Sequence, residues 1–307
     1  MIYEYAIEPE LVATWGNIDK YRYFYEQIGL GTPRIMSDYP KLKNWRRRVL
    51  QAAAGFKGTY DYLRIEELIK RLTEIRIFRE GSNYDGNISW LENAAKEHVK
   101  HPFQAILARQ HRDGNQNILT DDNLDTSTKW AVKRGKIIPK ISKEMAEIVA
   151  PMLSKCNVAI FIDPHFGPEL SRYRSPLKAF LSAIVKNRRK VLPHLVEVHT
   201  SEKSTSEFFK QSCEEEMPRI IPHGLVVIFK RWRERPGGDK LHPRLILTDI
   251  GGVKFEYGLD EQNAGVTDDV TLLEIDQYRF RWSQYASDSP AFDLADEPVE
   301  IIGTAKT

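Results

Sequence analysis

Apolar and polar positions follow two different periods in the first part of the chain. The segment Ile2–Ile7 alternates apolar and polar residues of aromatic and β-branched types, which predicts a short strand that Pro9 ends. Over Asp38–Phe56 and again over Tyr60–Ile75, apolar residues recur at intervals of three and four among Lys, Arg and Glu. This spacing predicts a pair of amphipathic helices. The beginning of the chain is therefore expected to be mixed α/β and rich in helix.

Strands and helices are predicted to alternate in the second half of the chain. Asn157–Asp163 is a near-continuous apolar run, which is typical of a central strand buried on both faces. The pattern continues with a helix over 176–185, a strand over 195–199, a helix over 206–216 and a strand over 225–229. Two further strands are predicted on either side of a glycine pair. This alternation predicts an α/β fold with a mixed β-sheet flanked by helices.

The length and the pattern together suggest two domains and a tail. A chain of 307 residues with 41% hydrophobic content can bury a sizeable core. We expect a mixed α/β domain over 1–140, a second domain over 141–286, and an acidic tail over 287–307 that is partner-binding or disordered. The stretch 110–125 is rich in Asp, Asn and Gly and is expected to be an exposed loop or a connector.

Composition narrows the class of protein. Cys156 and Cys213 are far apart and match no metal-ligand spacing, which argues against a disulfide framework and a zinc ribbon. The sequence has no basic, apolar leader and no run long enough to span a bilayer, so we expect a soluble cytoplasmic protein without metal or cofactor. The net charge of +2, from 45 basic and 43 acidic residues, neither requires nor excludes a polyanionic partner. Local clusters of charge must therefore decide whether the protein binds a polyanion.

One motif carries candidate chemistry. Leu241–Asp249 has the spacing H-x-R-x-x-x-x-D, and earlier blocks accompany it in order, among them Ile160–Phe166, Arg174 and Val198–Ser201. The motif resembles the phospholipase D signature H-x-K-x-x-x-x-D, with Arg in the Lys position. Together the blocks resemble the phospholipase-D-like domain at the C-terminus of MIT-domain proteins and its bacterial relatives. The resemblance covers positions 155–285 and leaves the first half of the chain unexplained.

The resemblance implies phosphodiester transfer through a phosphohistidine. His242 would be the nucleophile, Arg244 would hold the phosphate with two parallel hydrogen bonds, and Asp249 would lie near the imidazole partner. A second histidine would protonate the leaving group. The superfamily's active site uses two facing motifs and this chain carries one, so a catalytic form is expected to be a homodimer. A monomer would indicate binding without cleavage.

Further candidate substrate-binding residues flank the motif: Asp163, His165, Arg174, Thr200, Ser201, Thr248 and Tyr257. Asp163 and His165 follow a buried strand at what should be the carboxyl edge of the sheet, where ligands of open α/β folds bind. A structural alternative for Asp163 is a turn cap. Thr200 and Ser201 follow another strand, and their alternative role is to cap the helix that comes next. Arg174 belongs to the resembling blocks, and Thr248 and Tyr257 are expected to donate to the phosphate.

Basic residues beside the motif suggest the partner. Arg231, Trp232 and Arg233 interleave cations with an aromatic ring, which suits a nucleic-acid backbone with a base stacked on Trp232, although such runs are more often solvated surface. Lys186–Lys190 and Trp45–Arg48 are two further basic patches without a specific prediction. Nucleic acid is favoured over membrane lipid because the sequence has no amphipathic insertion segment. Other protein subunits are also compatible with the sequence as partners.

The sequence therefore supports two functional hypotheses. The first is a phospholipase-D-like phosphodiesterase, a metal-independent nuclease or a nucleic-acid-processing subunit, with a bacterial defence system as the setting that the resemblance implies. The second is a non-catalytic interaction module that binds phosphate, nucleic acid or phosphoinositide in the same cleft.

Overall fold

The chain forms two compact α/β units. The computed structural model describes residues 1–79, 81–111, 114–186 and 191–306. The N-terminal unit is Ile2–Lys133, and the C-terminal unit is Arg134–Thr307 together with Met1. Within these described ranges, no helix combines the length and the apolar character needed to cross a membrane.

The N-terminal unit is built on a five-stranded parallel sheet in the order β3-β2-β1-β4-β5. Its strands are β1 (Tyr3–Ile7), β2 (Arg34–Ser37), β3 (Arg76–Ile77), β4 (Ala105–Leu107) and β5 (Ile118–Leu119). Its helices are α1 (Pro9–Val12), α2 (Ile18–Gln27), α3 (Leu42–Ala52), α4 (Tyr60–Glu74) and α5 (Trp90–Lys100), with a short 3-10 helix over Ala54–Phe56.

Helices cover both faces of this sheet, as the alternating side chains of β1 show. Tyr5 and Ile7 pack into one hydrophobic cluster with residues of α1 to α4, whereas Ala6 packs into another with Trp90 of α5. Successive residues of a strand point to opposite faces, so a strand buried on both sides needs apolar residues at nearly every position.

Local signals set the helix ends. Ser89 forms a capping box with Glu92 at the start of α5. The helix expected from Asp38 begins instead at Leu42, because the Asp38 carboxylate accepts the Leu42 N–H at 2.7 Å and caps it from outside.

The C-terminal unit is built on a nine-stranded mixed sheet in the order β13-β9-β8-β7-β10-β11-β12-β6, with β14 also paired to β9. Its strands are β6 (Gly135–Pro139), β7 (Val158–Ile162), β8 (Leu195–Ser201), β9 (Val226–Arg233), β10 (Arg244–Thr248), β11 (Gly251–Phe255), β12 (Thr267–Leu272), β13 (Asp293–Leu294) and β14 (Val299–Ile302). Its helices are α6 (Ser142–Leu153), α7 (Ser171–Val185), α8 (Phe209–Glu216) and α9 (Ile275–Tyr285). The three strands β7, β8 and β9 are parallel, and the other pairings are antiparallel.

Helices cover both faces of this sheet as well. The ring of Phe161 on β7 stacks on Phe180 of α7, with ring centroids 5.6 Å apart. On the other face, Tyr278 of α9 lies over Gly252, where an added Cβ would come within 3.1 Å of its ring. Gly252 therefore allows α9 to approach the sheet closely.

The boundaries of the units differ from those expected from sequence. The N-terminal unit ends before β6, because β6 pairs with β12 and so belongs to the second sheet. The stretch 110–125 is more than a loop, since Ile118 and Leu119 are buried in β5. The end of the chain is not a free tail either, since β13 and β14 both pair with β9.

Candidate functional site

Strand pairing brings five of the predicted site residues to one edge of the second sheet. β7 ends at Ile162 where antiparallel β10 begins, since Leu245 lies opposite Ile162. β11 ends at the same edge, because Phe255 lies opposite Arg244. We call this place the β7 edge and define it by the predicted residues that flank these strand ends: Asp163, His165, His242, Arg244 and Tyr257.

Asp163 forms the buried floor of the β7 edge. Its side chain is 2% exposed, and its two carboxylate oxygens accept the N–H groups of His165 at 2.9 Å and Leu259 at 2.7 Å. Burial raises the pKa of Asp163 above its usual range, although these two N–H donors and the charge of Arg244 act in the opposite direction. Asp163 thus holds the turn after β7 against the chain that follows β11.

Arg244 has a donor without a protein acceptor. The residue is half-buried at the first position of β10, and its Nε is buried without a hydrogen-bond partner in the described part of the chain. Its charge still acts on its neighbours, since it opposes the burial that raises the pKa values of Asp163 and Tyr173. The guanidinium is therefore a cation with free hydrogen-bonding capacity.

His242 lies in the same electrostatic neighbourhood as Arg244. It is exposed, and its backbone N–H donates to the Lys240 carbonyl at 3.1 Å. The pKa of Glu256 is lowered first by its hydrogen bond and charge interaction with Lys254, and then by the charges of Arg244 and His242. Both cationic candidates thus act on one exposed carboxylate.

The remaining members of the edge are open to solvent. His165 is exposed two residues after the buried Asp163, and Tyr257 is 66% exposed. A cavity beside Asp163, lined also by Tyr173 and Leu259, has a volume of about 10 Å³. That is on the order of one water molecule, so the cavity has no room for a phosphate group. An anion at this edge would bind on its open side.

A buried ion pair holds the chain that follows β11 at the β7 edge, and the sequence did not predict this pair. Lys140 Nζ lies 2.6 Å from Asp260 Oδ1 and also donates to the carbonyl oxygens of Tyr257 and Gly258. Gly258 has φ +118°, and a Cβ there would lie 3.0 Å from Asp260 and 3.1 Å from Asp163. Only glycine fits this conformation and this approach. No pattern in the sequence pointed to Lys140.

Two predicted residues lie at the opposite end of β10. Asp249 accepts the N–H groups of Asn157 at 2.8 Å and Val158 at 3.1 Å, so its carboxylate caps the start of β7. At roughly 3.3 Å per residue, the five-residue strand separates it from Arg244 by on the order of 16 Å. Asp249 therefore does not orient His242. Thr248 is buried there too, and its hydroxyl donates to the Gly251 carbonyl.

Three further candidates form hydrogen bonds that hold loops together. The Thr200 hydroxyl is fully buried and donates to the carbonyl oxygens of Pro164 and Phe166. Ser201 Oγ accepts the Lys203 N–H at 3.2 Å, which is the capping role that was its alternative. Arg174 donates to the Pro168 carbonyl at 2.9 Å and lies 3.6 Å from a carboxylate of α8.

The basic run on β9 differs most from its predicted role. Trp232 is 3% exposed and contacts His199, with ring centroids 5.4 Å apart, so no base can stack on it. Its neighbours are neutralised, since Arg231 lies 3.4 Å from Asp296 and Arg233 lies 2.9 Å from a Glu202 carboxylate oxygen. Strand alternation turns Trp232 inward, so that Arg233 is exposed and Arg231 is partly buried. Of the basic patch Lys186–Lys190, positions 187–190 lie outside the described residues.

Comparisons with known proteins do not show a family for the chain. No family model and no curated protein matches it. Among solved structures, it is similar to TrmBL2, an archaeal chromatin protein whose structure shows a mode of DNA binding. The identity is 9%, the TM-score is 0.25, and the match covers 78% of this chain and 66% of that one. A TM-score of 0.25 does not establish a shared fold.

Proposed function

We propose that the C-terminal unit is a phospholipase-D-like domain that binds a nucleic-acid phosphodiester at the β7 edge and cleaves it through His242. The observation that carries the proposal is the half-buried Arg244, whose buried Nε has no acceptor among the residues that the structure describes, two positions from the exposed His242. Buried donors in proteins are nearly always partnered, and an unpartnered one costs about 1–3 kcal/mol. A phosphate oxygen is an acceptor of the right charge.

The reaction needs a nucleophile and an acid. A nitrogen of His242 attacks phosphorus, the bond from phosphorus to the leaving oxygen breaks, and an acid gives that oxygen a proton. Water then attacks phosphorus and gives a proton back to that acid, and the bond from phosphorus to nitrogen breaks, which releases the phosphate product and the free imidazole. His165 is exposed at the same edge and is the candidate acid within one chain. In the homodimer that the resemblance implies, the second histidine would come from the partner copy.

Binding without cleavage is the second candidate, and a specific observation favours it. Asp249 caps the start of β7 and cannot orient His242. Arg244 also stands where the resembling family has Lys, which preserves anion binding and changes how charge meets the transition state.

One set of assays separates the two candidates. The full chain is mixed with labelled single- and double-stranded oligonucleotides and with bis(p-nitrophenyl) phosphate, in buffer that contains EDTA. Cleavage that persists in EDTA and is lost in His242→Ala supports the phosphodiesterase. Cleavage that EDTA stops contradicts the phosphohistidine mechanism. Light scattering of the active species tests the homodimer.

The binding arm uses a matched control. If wild type and His242→Ala are equally inert, but Arg244→Ala weakens oligonucleotide binding, the edge is a non-catalytic phosphodiester site. Arg235→Ala removes the same charge from an exposed residue paired with Asp293, and should leave binding unchanged. Equal affinity of wild type and Arg244→Ala would remove the β7 edge as an anion site. Vesicles that contain phosphoinositide are the lipid comparison.

A further inference from the structure

Helix α3 of the N-terminal unit carries an excess of positive charge that the proposed site does not use. No Asp or Glu occurs between Asp38 and Asp61. Over the same stretch the chain has five exposed cations, Lys41, Lys43, Arg46, Arg47 and Lys57. We call these residues, with the exposed rings of Phe56 and Tyr60, the α3 surface.

The buried side of α3 fixes which residues face outward. Trp45 and Val49 are one helical turn apart and pack into the core, and the Trp45 indole donates to the Ile7 carbonyl at 2.8 Å. Lys43, Arg46 and Arg47 therefore lie together on the other side, since residues three and four apart are neighbours on a helix. The rotation of the helix is set by the core and not by the cations.

These outward cations are not neutralised by the protein. Arg48 points inward and binds Glu10, with its NH2 group 2.7 Å from a carboxylate oxygen. Among the residues that the structure describes, Lys43, Arg46 and Arg47 take part in no ion pair. This contrasts with β9, where Arg231 and Arg233 both meet carboxylates.

Exposed rings follow the cationic helix directly. Phe56 is 43% exposed and Tyr60 is 78% exposed, on the connection from α3 to α4 and the first residue of α4. Leu63 on the next turn is 58% exposed. Single exposed apolar residues are common, but a group of them that follows unpaired cations closely in the sequence indicates an interaction site. Cations that follow a backbone, together with rings that stack on bases, are the features of single-strand binding surfaces.

We infer that the α3 surface binds single-stranded nucleic acid. Lys43, Arg46 and Arg47 contact successive phosphates, and Phe56 and Tyr60 stack on unpaired bases. An anionic membrane fits less well, because the apolar side of α3 faces the core and leaves no helical face to insert into lipid. The inference stands independently of the phosphodiester site in the C-terminal unit.

The test measures the anisotropy of a labelled oligo(dT) of about 16 nucleotides with the full chain over a range of KCl concentrations. Arg46→Glu/Arg47→Glu is expected to lower affinity at least about ten-fold and to reduce the slope of log K against log salt by about 1.4, for two phosphates. Phe56→Ala/Tyr60→Ala is expected to lower affinity about ten-fold with the salt slope unchanged, because stacking releases no counterions.

Matched variants separate binding at the α3 surface from a general effect of charge and from binding at the β7 edge. Lys96→Glu/Lys100→Glu makes the same charge change at exposed positions of α5, against the other core cluster, and should leave affinity within about two-fold. Arg244→Ala distinguishes the α3 surface from the β7 edge. Any oligo(dT) binding that this variant retains should be lost when Arg46→Glu/Arg47→Glu is added to it. An equal loss in the α5 variant, no oligo(dT) binding by wild type, or binding to phosphatidylserine vesicles alone would each overturn the inference. Circular dichroism confirms that each variant is folded.

Discussion

The ammonium group of Lys140 lies 2.6 Å from a carboxylate oxygen of Asp260, and the two side chains are only 1% and 8% exposed. The pair joins the entry to α6 with the chain beyond β11, and Lys140 also donates to two backbone carbonyl groups there. A buried pair with such hydrogen bonds orders its surroundings, although its net contribution to stability is small compared with a well-packed apolar pair.

Removing one partner of this pair is expected to be far more costly than removing both. Lys140→Met and Asp260→Leu should each lower the free energy of unfolding by about 3–5 kcal/mol, because each leaves a buried charge without its partner. The double variant should cost much less than the sum of the two. Urea denaturation of the three variants measures this, and simple additivity would show that the charges do not interact.

Asp249 is expected to matter for stability and not for activity. Asp249→Ala removes the acceptor of two N–H groups at the start of β7, so the free energy of unfolding should fall by about 1–2 kcal/mol. Oligonucleotide binding and any cleavage at the β7 edge should stay as in wild type. Asp288→Ala removes a charge at an exposed position and is the control. A selective loss of cleavage in Asp249→Ala would restore its predicted catalytic role.

His199 is expected to make the fold sensitive to mild acid. Its ring is fully buried, and burial lowers its pKa below the ordinary value of 6.5, although hydrogen bonding to Glu197 at 2.8 Å opposes this. Below pH 6.5 the unfolded chain takes up a proton that the folded chain does not, so stability is full above that pH and falls as the pH decreases. The slope can reach about 1.4 kcal/mol per pH unit.

The measurement is the urea midpoint from neutral pH to mild acid for wild type and His199→Gln. The variant should lose this part of the pH dependence, whereas His223→Gln, at an exposed position, should keep it. Identical pH profiles for wild type and His199→Gln would mean that folding does not shift the pKa of His199.

Glu234 is expected to make stability depend on pH in a more acidic range than His199 does. Its carboxylate accepts hydrogen bonds from Lys203 at 2.8 Å and from the Leu241 N–H at 3.0 Å, and these, in that order, lower its pKa to about 2. Because the folded pKa lies below the ordinary 4.5, the stabilisation is present above pH 4.5 and is lost as the pH falls towards 2.

The comparison is between wild type and Glu234→Gln. Any difference in their unfolding free energies should be largest at neutral pH and vanish near pH 2, and solvent screening keeps it small. A difference that persists near pH 2 would mean that the substitution acts by changing the conformation of the loop before His242 and not by removing a charge.

Local pattern was sufficient for some of the elements. The period of three and four residues predicts α3 and α4, and the apolar run before Asp163 predicts the central strand β7. Each depends on residues near one another in the chain, where side-chain periodicity and capping act. The position of Asp163 and His165 after a buried strand also followed from the sequence alone.

Only the tertiary structure decided the contacts between segments that are distant in the sequence. Lys140 meets Asp260 across 120 residues of sequence, Asp249 caps a strand 92 residues earlier, and Trp232 is turned into the core. Each depends on which strands pair and in what register, because a shift of one residue exchanges the two faces of a strand. The same pairing joins His242 and Arg244 to the end of β7 and leaves their motif partner Asp249 at the far end of β10.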